Sequence, residues 1–204
     1  MRIIFVLTIS MLLAYSCLNA QVADSTKRNE KGSIKVELNP AFYILGGYSV
    51  RGYYVLPKKW SVGLQVEAGF ELPDDFADAF FDSSAPIDVD WDYAVSIETR
   101  YRFTEASYDK GFFALANIGI EGWTVSEDVD TGASDDFDNW FAALGVGYNW
   151  YPFKKKNFNV GATYNVIFLL NNTNTRQAGD TNYSLDSIVP PSLAPSNIYI
   201  SWRF

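Results

Sequence analysis

The side chains with the most chemical potential in this chain are carboxylates, and they come in runs. Asp88, Asp90 and Asp92 alternate along one stretch, and Asp128 and Asp130 precede Gly132 in another. Two carboxylates on one face are the minimum for glycoside hydrolysis, and alternate Asp residues before a glycine open a calcium loop. Neither calcium template is completed: Tyr93 stands where the first loop needs glycine, and Gly132 arrives one position early in the second. Carboxylates where a loop meets a strand are ordinarily solvated. Histidine is absent from all 204 residues, so a serine nucleophile has no imidazole base. The expectation is a protein that is not an enzyme and carries no cofactor, with cation binding by the acidic runs left open.

The clearest of the elements that must position these residues is WDYAVSIETRYRF, residues 91 to 103. It alternates strictly, with Trp91, Tyr93, Val95, Ile97, Thr99, Tyr101 and Phe103 on one parity and Asp92, Ala94, Ser96, Glu98, Arg100 and Arg102 on the other. Period-2 alternation predicts a strand with two unlike faces. The same pattern recurs around Ile34 to Leu38, Tyr48 to Leu56, Trp60 to Phe70, Phe112 to Trp123, Trp140 to Trp150, Phe158 to Phe168 and Asn197 to Phe204. Eight strands without an intervening helical pattern predict antiparallel hairpins. Only in Phe112 to Trp123 is the parity unsettled. Short connections at 57–59, 104–110 and 154–157 alternate with long polar ones at 73–90, 124–139 and 171–196. Short turns at one end and long loops at the other are the habit of membrane barrels.

Volume decides which face is inside. An eight-stranded barrel leaves room only for side chains in its interior. One parity carries Trp60, Trp91, Tyr101, Trp140, Trp150 and Trp202 among others; the opposite one carries Gly63, Gly69, Ala94, Ser96, Gly145, Gly147 and Gly161. The small face is expected inside, with Lys35, Glu37, Arg51, Glu67, Glu98, Arg100 and Arg203 forming ion pairs that plug the lumen, because unpaired charges there would be costly. Trp91 and Tyr93 at one end of the fourth strand, and Tyr101 and Phe103 at the other, are expected to mark two interfacial girdles.

The compartment is read from the first residues. Met1 and Arg2, the apolar run Ile3 to Ala14 and Leu18-Asn19-Ala20 before Gln21 predict a signal peptide over residues 1–20. The apolar run is too short to span a bilayer. A flexible tail is expected over 21–32 and one barrel domain over 33–204. Cys17, the only cysteine, is a leader residue on this reading; its alternative is a lipid attachment site. The net charge of -8 argues against a nucleic-acid partner.

The last strand alternates Ile198, Ile200, Trp202 and Phe204 with Asn197, Tyr199, Ser201 and Arg203, ending the chain on Phe. It is similar to the terminal assembly signal of the OmpA and OmpX type of eight-stranded outer-membrane barrels, which the whole of residues 33–204 resembles as a strand pattern. The resemblance implies an all-β, eight-stranded, antiparallel up-and-down transmembrane barrel in the bacterial outer membrane, with both termini periplasmic. Its partners would be outer-membrane lipids and, through Tyr199, Trp202 and Phe204, the barrel insertion machinery. The expected role is envelope integrity or surface interaction through acidic external loops whose partner is unknown. The alternatives are a channel for a small solute or hydrophobic molecule, and a soluble secreted binding barrel.

Overall fold

A computed structural model describes residues 32–57, 59–72, 77, 80–103, 110–127, 133–153, 157–171, 175–185, 188–189 and 198–204. The leader with Cys17, and all but the last residue of the expected tail, lie outside them.

Strands β1 (Ser33–Leu38), β2 (Tyr48–Val55), β3 (Trp60–Glu71), β5 (Ile87–Arg102), β6 (Gly111–Glu127), β7 (Ser134–Trp150), β8 (Phe158–Leu169) and β12 (Ile198–Arg203) pair antiparallel, each with the next. The last closes on the first through Lys35 opposite Arg203 and Leu38 opposite Ile200, giving a closed eight-stranded barrel. Closure removes the open edges that a sheet of this size would otherwise present. A short helix α1 (Pro40–Ile44), absent from the sequence expectation, joins β1 to β2, started by Asn39, whose side chain accepts from the Ala41 amide.

The wall is polar within and apolar without. Leu64, Ile97, Ile118 and Leu144 are each more than half exposed, whereas Ser61, Gln65, Ser96, Asn149 and Ser201 on the opposite parity are buried. At the turn end, rings on neighbouring strands meet edge to face around the outside: Trp60 with Tyr101 at 5.0 Å, Phe112 with Tyr148 at 4.8 Å and Phe158 with Trp202 at 5.1 Å. Phe103 joins Tyr101 in this band. Towards the loop end the outer face carries Tyr48, Tyr93 and Trp140. The unsettled parity resolves with Phe113, Leu115, Gly119 and Glu121 inward and Phe112 and Ile118 outward.

Trp91 departs from expectation. It was expected in the girdle beside Tyr93, but a bulge falls between the two, so that Tyr93 pairs with Gly122 and Trp91 with Trp123. One extra residue reverses the facing of everything beyond it. Opposite, Gly69 adopts a φ of 60°, a left-handed conformation suited to glycine, and lets β3 follow the same irregularity. Trp91 therefore turns inward, stacks on Trp123 at 5.8 Å and meets Phe42 of α1 at 5.3 Å.

This reversal feeds a second core at the loop end. Phe81, Val89, Trp123, Val125, Phe141, Leu169, Tyr183 and Leu185 bury one another there. Three short strands, β4 (Phe81–Ser83), β9 (Arg176–Ala178) and β10 (Thr181–Leu185), form a separate sheet in the order β4-β10-β9, while β11 (Ile188–Val189) extends the wall beside β8. The sequence reading took the connections at 73–90 and 171–196 as polar loops. Their described parts instead fold together, because β5, β6 and β7 carry apolar inward residues past the barrel rim and these require cover.

Candidate functional site

The barrel interior is the first place where chemistry-bearing side chains converge. Among the described residues its buried charges are Lys35, Arg51, Arg100 and Arg102 against Glu37, Glu67, Glu98 and Glu121, four of each sign. Arg100 is the hub. Its Nη1 and Nη2 donate to the two oxygens of Glu37 at 2.7 and 2.9 Å, and its Nε to Glu98 at 2.5 Å. Nη2 also donates to the Tyr53 hydroxyl at 2.7 Å, which in turn donates to Glu98 at 2.8 Å. Lys35 meets Glu37 at 2.8 Å. A fork of this kind fixes geometry as well as charge.

Glu67 belongs to a second, separate group. Arg51 Nη2 donates to it at 2.9 Å and Ser49 at 2.6 Å. Of the charges expected to form ion pairs in the lumen, Arg51 and Glu67 thus pair with each other. Arg203, placed in the same network by parity, sits half-buried at the turn-end mouth with its Nε donating to Ser33 at 2.6 Å.

Three rings enclose the Arg100 guanidinium: Tyr53 at 4.1 Å, Phe113 at 4.7 Å and Tyr199 at 5.2 Å. Each is inward, against the expectation that aromatic bulk stays outside, and each stands directly opposite a glycine on the neighbouring strand: Gly63, Gly147 and Gly161 respectively. A Cβ on any of these glycines would overlap the facing ring. Glycine supplies the volume that the ring occupies. Tyr199, expected in the terminal assembly strand, thus also donates its hydroxyl to Asn149 inside the lumen at 2.8 Å. Trp202 of that strand faces outward, and the Phe204 amide donates to Ile34 at 2.8 Å across the closing seam.

Sequence reasoning missed Tyr53, Arg102 and Glu121. Tyr53 and Arg102 lie on the inward parity of strands whose charges were assigned, so the signal was present. Arg102 donates to the Leu56 carbonyl at 2.8 Å. Glu121 was hidden by the unsettled parity of its strand.

At the loop end, Asp135 locks the short sheet to β7. Arg176 donates to both its oxygens at 2.7 and 3.0 Å, and the Tyr183 hydroxyl donates at 2.5 Å. Glu127 accepts from the Asp180 amide at 2.6 Å and from Thr181 at 3.1 Å. The hydrogen bonds from Arg176 hold the Asp135 carboxyl below its ordinary value of 3.8, outweighing partial burial, with Tyr183 adding to the effect. A depressed carboxylate contributes stability above its unfolded value and loses it as pH falls through the folded one. The cap sheet is accordingly expected to hold at pH 5 and to loosen only below 3.8, with amide exchange at Tyr183 and Leu185 rising. Arg176→Gln should weaken that acid dependence, leaving the part that Tyr183 supplies; an unchanged profile would mean that this lock does not hold the sheet.

Among the described residues no group of three or more His, Cys, Asp or Glu is arranged to hold a metal ion. Asp88 and Asp90 are exposed on β5, and Asp92 in the bulge accepts from Thr124 at 2.9 Å. Asp74, Asp75, Asp78, Asp128 and Asp130 lie outside the described residues.

No protein-family model matches the chain, and no curated protein matches it by sequence. Among solved structures, the chain is similar to the N-terminal β-barrel domain of Pseudomonas aeruginosa OprF, with a TM-score of 0.44 and 12% identity over 85% of this chain and 100% of that one. The outer membrane protein Ail of Yersinia pestis in a phospholipid bilayer nanodisc gives 0.42 and 13%, covering 85% and 100%. Ail, the attachment invasion locus protein, in complex with the heparin analogue sucrose octasulfate gives 0.39 and 14%, covering 85% and 97%.

Proposed function

We propose that this protein is a non-enzymatic outer-membrane barrel with a plugged lumen, acting in envelope integrity or surface interaction through its folded loop end. The observation that carries this reading is the inverted distribution of polarity: an apolar wall facing outward around an interior that, among the described residues, holds eight buried charges. In water such a wall would be an aggregation surface, whereas hydrocarbon is its natural solvent. Aromatic rings near both rims support the same placement, since Trp and Tyr favour the two membrane interfaces. With eight strands the two ends of the barrel, at Ser33 and Arg203, lie at the turn end, which is periplasmic on this reading, and the strand ending Trp202-Arg203-Phe204 is offered to the barrel insertion machinery.

The plug reading rests on Arg100, whose ionic and ring contacts span strands from β1 round to β12. Reconstitution in a planar bilayer tests it. The expected record is flat, without discrete large openings, and the protein is expected in the outer-membrane fraction of cells. Large steady openings would favour the small-solute channel instead, and recovery in a soluble fraction would favour a secreted binding barrel.

A further inference from the structure

We infer that the loop joining β1 and β2 lies in the headgroup layer of the membrane, with α1 presenting Tyr43, Ile44 and Leu45 to lipid. This rests on the outer-membrane reading and adds to it a second contact surface beyond the barrel wall. The first observation is chemical. From Leu38 to Val50 the chain has no charged residue, whereas Glu71 at the end of β3 and Glu127 at the end of β6 lead into connections that carry Asp74, Asp75 and Asp78, and Asp128 and Asp130. A loop end otherwise rich in carboxylates leaves one segment bare.

The second observation is geometric. Phe42 is buried, at 2% exposure, against Trp91, and this contact sets the rotation of the helix. At about 100° per residue, a side chain two positions on points to the opposite side. Ile44 is 85% exposed, and Tyr43 and Leu45 beside it are 49% and 44% exposed. The helix packs on β2 and β12 at the rim, so this surface does not stand off from the barrel. Its polar start is sealed, because Asn39 is buried and bonded to the Ala41 amide.

Continuity selects lipid as the occupant. Leu45 leads through Gly46, with a φ of 90°, and Gly47 directly into Tyr48, an outward ring of the apolar wall in the same row as Ala68 and Tyr93. An apolar helical face beside an aromatic girdle settles about 5–10 Å into the boundary between headgroups and acyl chains. A protein partner would have to share that boundary with the lipid already bordering Tyr48.

Cysteine probes test the inference. In a Cys17→Ser chain refolded into phosphatidylcholine vesicles, Ile44→Cys, Ile97→Cys and Gln177→Cys would each carry an environment-sensitive fluorophore. Residue 97 stands in the middle of the wall, and residue 177 is exposed on the short sheet. The probe at 44 should lose most of its fluorescence to lipids brominated near the glycerol and resist aqueous iodide, while that at 177 does the reverse. If 44 is open to iodide and untouched by the glycerol-level bromolipid while 97 is quenched by lipid brominated near the acyl-chain end, the inference is overturned. If 44 is shielded from both quenchers, a protein surface covers it and the inference is equally overturned. Failure of lipid brominated near the acyl-chain end to quench 97 would instead remove the membrane reading itself.

Discussion

Arg100→Gln is expected to lower the unfolding free energy of the barrel in lipid vesicles by about 3 to 5 kcal/mol, the cost of leaving buried carboxylates without their cation. Glu98 would lose the Arg100 cation it meets, and Glu37 would keep Lys35. Lys35→Gln should therefore cost less, because Glu37 keeps the bidentate Arg100. The double change Glu98→Gln with Arg100→Gln should cost less than the sum of its parts, since the two side chains share one network. Urea unfolding of the unmodified protein, the three single variants and the double variant measures these losses. Losses below about 1 kcal/mol for Arg100→Gln, in the range of exposed pairs, would mean that water reaches the lumen freely. In that event the plugged reading would fall with it.

Ile97→Arg is the second large effect, at about 2 to 4 kcal/mol if the residue sits at the bilayer midplane. Ile97 faces outward, pairs with Leu64 and Ile118, and lies four residues from both Tyr93 and Tyr101. It is therefore midway between the two aromatic levels on its own strand. Gln177→Arg, on the exposed short sheet, serves as the control and should change stability by less than about 0.5 kcal/mol. Equal effects at 97 and 177 would show that the apolar wall is not in hydrocarbon.

The strands, their number and the sense of the barrel were legible because period-2 alternation is a local property. Val95, Ser96, Ile97 and Glu98 declare their faces without reference to any other strand, and the volume limit of an eight-stranded interior assigns the glycine face inward. The inward placement of Lys35, Glu37, Arg51, Glu67, Glu98 and Arg100 followed by the same logic. Local reading failed where one residue changed the count: the bulge at Asp92 sent Trp91 inward, and alternation carries no mark of where such an insertion falls. Tyr53 and Tyr199 share the parity of Arg51 and Arg203, but the steric room that Gly63, Gly147 and Gly161 give the three inward rings exists only once each stands opposite its partner.

What the sequence by itself determined, then, is the wall: which residues form strands and which way most of them face. Tertiary structure alone decided who meets whom. Glu37 and Arg100 are 63 positions apart, and Ser84 and Asn182 of the loop-end sheet are 98 apart. Such pairs depend on the register of every strand between them and on the closure of the ring, and a composition of four buried cations and four buried anions admits many pairings. Only the shear of the closed barrel brings Arg100 to Glu37 instead of Glu67, and only the apolar inward faces of β5, β6 and β7 beyond the rim draw two distant connections into one core.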